Sequence, residues 1–195
     1  MKKSTIVLFF LLTAACRPPA RALQPLPLDD GWETWKTLEA EQRVTIDAPR
    51  AGGKREHRTL RCVIAVERPD KFRLRAMGPG GITLFDLVGR GGKISVLESL
   101  RDPANPTMHA ILESLAGDVQ AVYGLGGLGE KSTNVRAFLR EGDHRVARDA
   151  EREVRIWPAH VEIDNRARGY RVAIDSQSQR LDGPLDPALF DAAEQ

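Results

Sequence analysis

The feature that most constrains this chain is an apolar period of two that sets in at Arg43. Val44, Ile46 and Ala48 alternate with Arg43, Thr45 and Asp47. The same rhythm returns in Leu60, Cys62, Ile64 and Val66, then in Phe72, Leu74 and Ala76 against Lys71, Arg73 and Arg75. Successive side chains of a strand point to opposite faces, so each segment buries one face and wets the other, as antiparallel strands do. Pro49 to Arg55, Pro69 with Asp70, Gly78 to Gly81 and Gly89 to Gly92 supply the turns between them. Ile82, Leu84, Phe85, Leu87 and Val88 are apolar at both parities, which predicts a central strand covered on two sides, followed by a strand from Lys93 to Glu98.

The alternation resumes in Val154 and Ile156, in Val161 and Ile163, and in Tyr170, Val172 and Ile174, separated by Pro158 and by Asn165 to Gly169. Helical spacing shows elsewhere. Trp32, Trp35 and Leu38 predict a short amphipathic helix capped by Asp29 or Asp30. Met108, Ile111, Leu112 and Leu115 predict a second helix closed by Gly117, and Asp118 caps a third through Val119, Val122 and Tyr123. The expected class is α+β: a curved antiparallel sheet, a half-open β-barrel, with short helices over its concave face. At 195 residues the chain suits one domain, placed at 31–195.

The N-terminus reads as an export signal. Lys2 and Lys3 precede the apolar run Ile6 to Leu12, which is too short to span a bilayer. Thr13, Ala14, Ala15 and Cys16 follow, and two small residues before a cysteine resemble the lipobox of bacterial lipoproteins, although Leu12 stands one position further upstream than in that pattern. The resemblance implies a signal peptide over 1–15 and lipidation of Cys16; the alternative is a plain signal peptide cut after Ala15 or Ala22. Several acyl chains on Cys16 would hold the chain on a membrane without a spanning helix. Pro18, Pro19, Pro25 and Pro27 predict an extended tether over 16–30.

Removing residues 1–15 takes Lys2 and Lys3 from the 29 basic residues and leaves 27 against 27 acidic ones. A neutral mature chain gives no support for nucleic-acid binding. Cys62, in an alternating apolar stretch, is expected to be a small core residue. Gly124, Gly126 and Gly129 satisfy G-x-G-x-x-G but no βαβ unit follows, so a flexible connection is expected there. His57, His109, His144 and His160 lack i, i+4 or thiol partners for zinc, and Ser95, Ser99 and Ser114 lack a nucleophile-elbow context. The mixed charges from Arg140 to Arg155 fit a solvated turn or exposed strand edge. No catalytic residue, metal or cofactor is expected.

Asp70-Lys71-Phe72-Arg73-Leu74-Arg75-Ala76-Met77-Gly78-Pro79-Gly80-Gly81-Ile82-Thr83-Leu84 resembles the strand, Pro-x-Gly turn and strand of the LolB and LolA-like periplasmic lipoprotein-binding family. Trp157 to Asp164, followed by Tyr170 to Asp175, resembles that family's closing hairpin. The resemblance runs from about Trp32 to Asp175. It implies a lidded half-barrel whose apolar cavity receives the acyl chains of lipoproteins or lipids, on the periplasmic face of the outer membrane. In that sorting system an Asp after the lipidated cysteine retains a lipoprotein in the inner membrane, and here the position is Arg17. In LolB an apolar side chain between the Pro and Gly of the turn helps insert cargo into the membrane; the matching position here is Gly80, and Ile82 is the nearby apolar side chain.

The expected function is therefore a monomeric, lipid-anchored carrier or receptor, with a periplasmic LolA-like carrier as a possible partner. Val44, Ile64, Leu74, Leu84, Ile94, Ile163 and Val172 are the expected acyl-chain cavity, and Pro79, Gly80 and Ile82 the membrane-facing loop. Transfer needs only differential affinity between successive cavities. The alternative is an interaction lipoprotein of an envelope complex with a sheet filled by its own side chains; an open apolar pocket of roughly 300 Å³ or more separates the two.

Overall fold

The computed structural model describes residues 22–49, 53–91, 93–99, 106–123, 139–148 and 150–191. The signal peptide, Cys16, residues 17–21 of the Pro-rich segment and the Gly124, Gly126 and Gly129 pattern lie outside the described residues. In chain order the elements are β1 (Thr37–Pro49), β2 (Arg55–Glu67), β3 (Lys71–Met77), β4 (Thr83–Arg90), β5 (Lys93–Ser99), α1 (Pro106–Tyr123), β6 (Leu139–Glu141), β7 (His144–Arg148), β8 (Arg152–Ile156), β9 (His160–Asn165) and β10 (Tyr170–Leu181). They form one curved, unclosed antiparallel sheet in the order β5-β4-β3-β2-β1-β10-β9-β8-β7-β6.

β1 joins the two halves of the chain. Val44 stands opposite Ile174 of β10 and Leu60 of β2, and Ala40 opposite Ile64. Register shifts at Glu41/Gln42, Ala76/Met77 and Asp86/Leu87 mark β-bulges, which increase local twist and help a wide sheet to curl. Along β1 to β3 the buried positions follow the predicted parity, with Leu38, Ala40, Val44, Cys62, Ile64, Val66, Phe72, Leu74 and Ala76 in one core. Cys62 is a buried free cysteine, and burial pushes its thiol up to about 12.

Phe72 fixes its partner strand. Gly89 of β4 lies opposite it, and a Cβ at position 89 would sit 2.0 Å from the Phe72 ring. Only glycine admits the ring at that close approach.

Several expectations are corrected. Among the described residues the fold is mostly sheet with one α-helix, where α+β with several short helices over the sheet was expected. The two helices expected to meet at Gly117 and Asp118 are the single helix α1, with Gly117 inside it. Glycine inside a helix costs about 1 kcal/mol, which the apolar packing of Ala116, Val119 and Val122 outweighs. The expected Trp32 helix is a 3-10 helix, Asp30–Glu33, capped by Asp29, whose Oδ1 accepts from the Gly31 N–H. Leu38 already belongs to β1, because Asp182 Oδ1 accepts from Lys36 N–H at 2.7 Å and starts the strand there.

β4 is next to the sheet edge, not central. It is nonetheless covered twice over Asp86 to Val88, since the 3-10 helix Pro187–Phe190, with Phe190 buried, lies against β3 and β4 on the outer face. The run Arg140 to Arg155 holds the exposed edge strand β6 together with β7 and β8. Residues 22–28 are not a free tether. Gln24 N–H donates to Gln179 O and Leu26 N–H to Pro158 O, both at 2.8 Å, and Leu26 is buried in the core.

Candidate functional site

One face of the curved sheet carries the apolar core, and α1 packs against it. Ala116, Val119, Val122 and Tyr123 recur at intervals of three and four, which puts them on one side of the helix. They share a core with the sheet residues. Of the seven residues expected to line a cavity, Val44, Ile64, Leu74, Ile163 and Val172 are buried in that core, and Ile94 packs against it. Leu84 stands apart. The pairs Leu74↔Leu87 and Ala76↔Phe85 turn the odd-numbered residues of β4 to the core, so Phe85 meets it while Leu84, of the other parity, is half-buried over Gly78.

Polar fastenings hold α1 at two points. At its C-terminal end Arg68 donates to Tyr123 O from Nε at 3.1 Å and Nη2 at 2.9 Å, and from Nη1 to Trp32 O at 2.6 Å. The last carbonyls of a helix lack intrahelical partners and carry partial negative charge, so a guanidinium is suited to that place. The same guanidinium lies 3.5 Å from the ring centroid of Trp35, which meets Trp32 edge to face at 6.1 Å. Inside the core, Gln42 donates to the Tyr123 hydroxyl at 2.8 Å. Burial nevertheless raises the Tyr123 phenol to about 12.

The second fastening is a buried polar cluster beneath the middle of α1. Asp118 is fully buried. Its carboxylate accepts from Arg152 Nη1 at 3.2 Å, from the Tyr170 hydroxyl and from Asn165 Nδ2. Ser114, one turn earlier, meets the Tyr170 hydroxyl at 3.0 Å. Desolvation raises the Asp118 carboxyl above its ordinary range, and the bonds from Tyr170, Arg152 and Asn165 offset only part of that. Tyr170 is likewise raised, by burial and by the facing carboxylate.

Sequence reasoning missed both fastenings. Asp118 was expected to cap a helix, and Arg68 carried no signal of its own. The signal available for the cluster was Ser114 and Asp118 at i, i+4, a polar row beside the apolar one.

The outer face has a different chemistry. A groove of about 410 Å³ runs over β1, β10, β9 and β8, and Asp47, Glu153, Arg155, Glu162, Asp164 and Arg171 line it. Its charges of both signs pair across strands, as in Arg55 to Asp47 at 2.9 Å and Arg155 to Glu162 at 3.4 Å. Such a surface does not receive an acyl chain. His144 and His160, expected to be scattered, flank Trp157 with ring centroids at 4.8 and 5.4 Å. His57 is exposed on β2, and no group of three metal-ligating side chains occurs among the described residues.

The loop between β3 and β4 projects from the sheet. Gly78 N–H donates to Ile82 O at 2.9 Å and closes it, and Gly80 takes φ +73°, a left-handed conformation that suits glycine. Pro79, Gly80 and Ile82 are all exposed, Ile82 to 57%. Among the described residues no helix is long and apolar enough to cross a membrane.

The solved structures similar to this chain include a pair of low sequence identity. One is a DUF1329 family protein from Desulfovibrio piger, with 13% identity, a TM-score of 0.39, and coverage of 83% of this chain and 92% of that one. The other is a LolA superfamily protein from Nitrosomonas europaea, with 8% identity, a TM-score of 0.43, and coverage of 81% and 91%. No curated protein matches the sequence. The family described as "Protein of unknown function (DUF3261)" matches residues 39–178, which run from β1 into β10. The chain thus belongs to the DUF3261 family.

Proposed function

We propose that this protein is a non-enzymatic, lipid-anchored carrier or receptor of the bacterial envelope, which takes an acyl chain of a lipoprotein or lipid between α1 and the concave sheet face. The observation that carries the reading is the apolar face itself: Val44, Ile64, Leu74, Ile163 and Val172 share one core on an unclosed sheet, covered among the described residues by α1. The LolB-like turn and closing hairpin in the sequence, and the lipobox-like Ala14-Ala15-Cys16, support the envelope location and the outer-membrane assignment. α1 acts as the lid. An acyl chain of about sixteen carbons gains on the order of 0.8 kcal/mol per CH₂ on leaving water. Against that gain stand the displacement of Ala116, Val119, Val122 and Tyr123 from the sheet and the loss of the bonds of Arg68 and Asp118.

One observation favours the second reading, an interaction lipoprotein with a filled sheet. The same five residues are already buried against α1 and its neighbours, so no acyl chain enters unless the helix moves. Native mass spectrometry of residues 17–195, challenged with a triacylated lipopeptide, decides between the two. The carrier reading expects one lipopeptide per chain, and the Arg68→Met variant, which frees the Tyr123 carbonyl, is expected to load faster. A mass that never shifts in either protein overturns the carrier and leaves the interaction protein.

A further inference from the structure

Residues 22–29, ahead of the sheet, are docked on the domain. Leu23 forms a parallel bridge with Gln179 of β10. Gln179 N–H donates to Ala22 O at 3.3 Å, Gln179 Nε2 to Gln24 O at 2.6 Å, and Leu181 N–H to Gln24 Oε1 at 2.9 Å. β9 begins at His160, paired with Asp175, so residues 22–24 continue the ladder of β10 where β9 has ended. Arg145 Nη1 grips the chain further on through Leu28 O and Asp29 O, at 3.2 and 3.1 Å. With Leu26 in the core, the first described residues are part of the domain.

Five residues, and so six Cα–Cα steps, separate Cys16 from Ala22. Fully extended chain covers at most about 3.5 Å per residue, so the lipid anchor lies within roughly 20 Å of Ala22. A domain of this length is on the order of 40 Å across. The leash is therefore shorter than the body it holds. Ala22 and Leu23 meet Gln179 next to the β8–β9 turn, where Pro158 is exposed, Trp157 and Ala159 are half-exposed and Leu23 is 47% exposed. A shallow depression lined by Arg43, Trp157, Pro158, Ala159, His160 and Gln177 opens there.

We infer that this surface, formed by Leu23, the Trp157–Ala159 turn and Gln177, is held against the lipid bilayer that carries the Cys16 anchor. The inference rests on the lipid-anchored reading. It makes the membrane contact a consequence of the docked segment, with no need of an inserting side chain at Gly80. The β1–β2 hairpin tip is held away: from Ala40, beside the docking site, β1 runs nine residues to Pro49, about 30 Å at ~3.3 Å per residue.

The test uses the full chain, processed in cells and reconstituted in vesicles of phosphatidylethanolamine and phosphatidylglycerol. Single cysteines at Ala159→Cys, Gln177→Cys, Ile82→Cys, Lys54→Cys and Lys93→Cys carry an environment-sensitive fluorophore, and spin-labelled lipids act as quencher. The parent protein, with Cys62 buried, supplies the blank. Intact mass first establishes acylation of Cys16. In an acylated protein, quenching at positions 159 and 177 at least threefold stronger than at 54 and 93 supports the proposal. Acylated protein quenched most strongly at 82, 54 or 93, or nowhere, overturns it and leaves the anchor standing. Unacylated protein removes the anchor and with it both readings of the membrane contact.

Discussion

Asp118, in the helix packed on one face of the sheet, and Asp86, on the other face, are both buried aspartates, and their carboxyls are pushed in opposite directions. Asp86 is 2% exposed on the outer face, and burial alone would raise it. Arg73 reaches it with two bonds, at 3.0 and 2.8 Å, and Arg75 with two more, at 2.9 and 2.6 Å, so the net effect holds the carboxyl below its ordinary range. Asp118 has one guanidinium at 3.2 Å and neutral donors, and desolvation wins. Two charged partners against one decide the sign. Asp86 is a fixed rivet, through Arg73, which also reaches Leu189 O at 3.3 Å, for the C-terminal 3-10 helix. Asp118 is a weaker catch under a helix that has to move if the chain carries lipid.

The largest test of that contrast is Asp86→Ala. It strands two guanidiniums, one of them only 20% exposed, and is expected to cost about 3 kcal/mol, as breaking a buried pair does. Urea unfolding at neutral pH measures it, and a loss under about 1 kcal/mol would mean the arginines simply turn to water. Arg68→Ala comes next, at about 2 kcal/mol for the lost carbonyl bonds and ring contact. Hydrogen exchange should show faster opening in the last turn of α1 with little change in β3 and β4. Equal opening everywhere would mean that the lid is not a separate unit.

Asp118→Asn sharpens the comparison through pH. A raised carboxyl binds its proton more tightly folded than unfolded, so between about 3.9, the unfolded value, and its folded pKa stability falls as pH rises. The Asn variant lacks that fall, with a change on the order of 1 kcal/mol at neutral pH. Asp86 has the reverse sign: its contribution is present above about 3.9 and is lost as pH falls toward its folded value, so Asp86→Asn removes part of the acid sensitivity. Stability curves from pH 2.5 to 8 separate the two, and parallel curves would erase the distinction. The smallest effect belongs to Arg61→Ala, whose outer-face pair with Glu41 at 2.9 Å is largely exposed; about 0.3 kcal/mol is expected by thermal melting.

The strands were legible because period two, bounded by Gly and Pro turns, survives any packing arrangement. β3 is read from Lys71 to Ala76 and runs Lys71–Met77. β10 shows where such reading ends. Beyond Asp175 it continues through Ser176, Gln177, Ser178, Gln179 and Arg180, which carry no apolar alternation. Those residues are held extended by β1 on one side and by residues 22–24 on the other, a contact between the two ends of the chain. Leu84 was misjudged because β4 is apolar at both parities, at Leu84 and Val88 as at Phe85 and Leu87, so its pattern does not say which set faces the core. The partners of the α1 fastenings were not legible: Arg68 sits in a turn and Asp118 in a helix, and although Ser114 and Asp118 mark a polar row, only the folded sheet brings Arg152, Asn165 and Tyr170 to it.

The Phe72 and Gly89 contact ties the history of two positions together. With 2.0 Å between the ring and any Cβ at position 89, a first mutation at Gly89 meets an occupied space, while a first mutation that shrinks Phe72 opens a void in the core. Neither single step is neutral. A lineage drifting from this sequence passes through the pair only by taking both steps nearly at once, or by keeping the aromatic and the glycine together while the strands around them change.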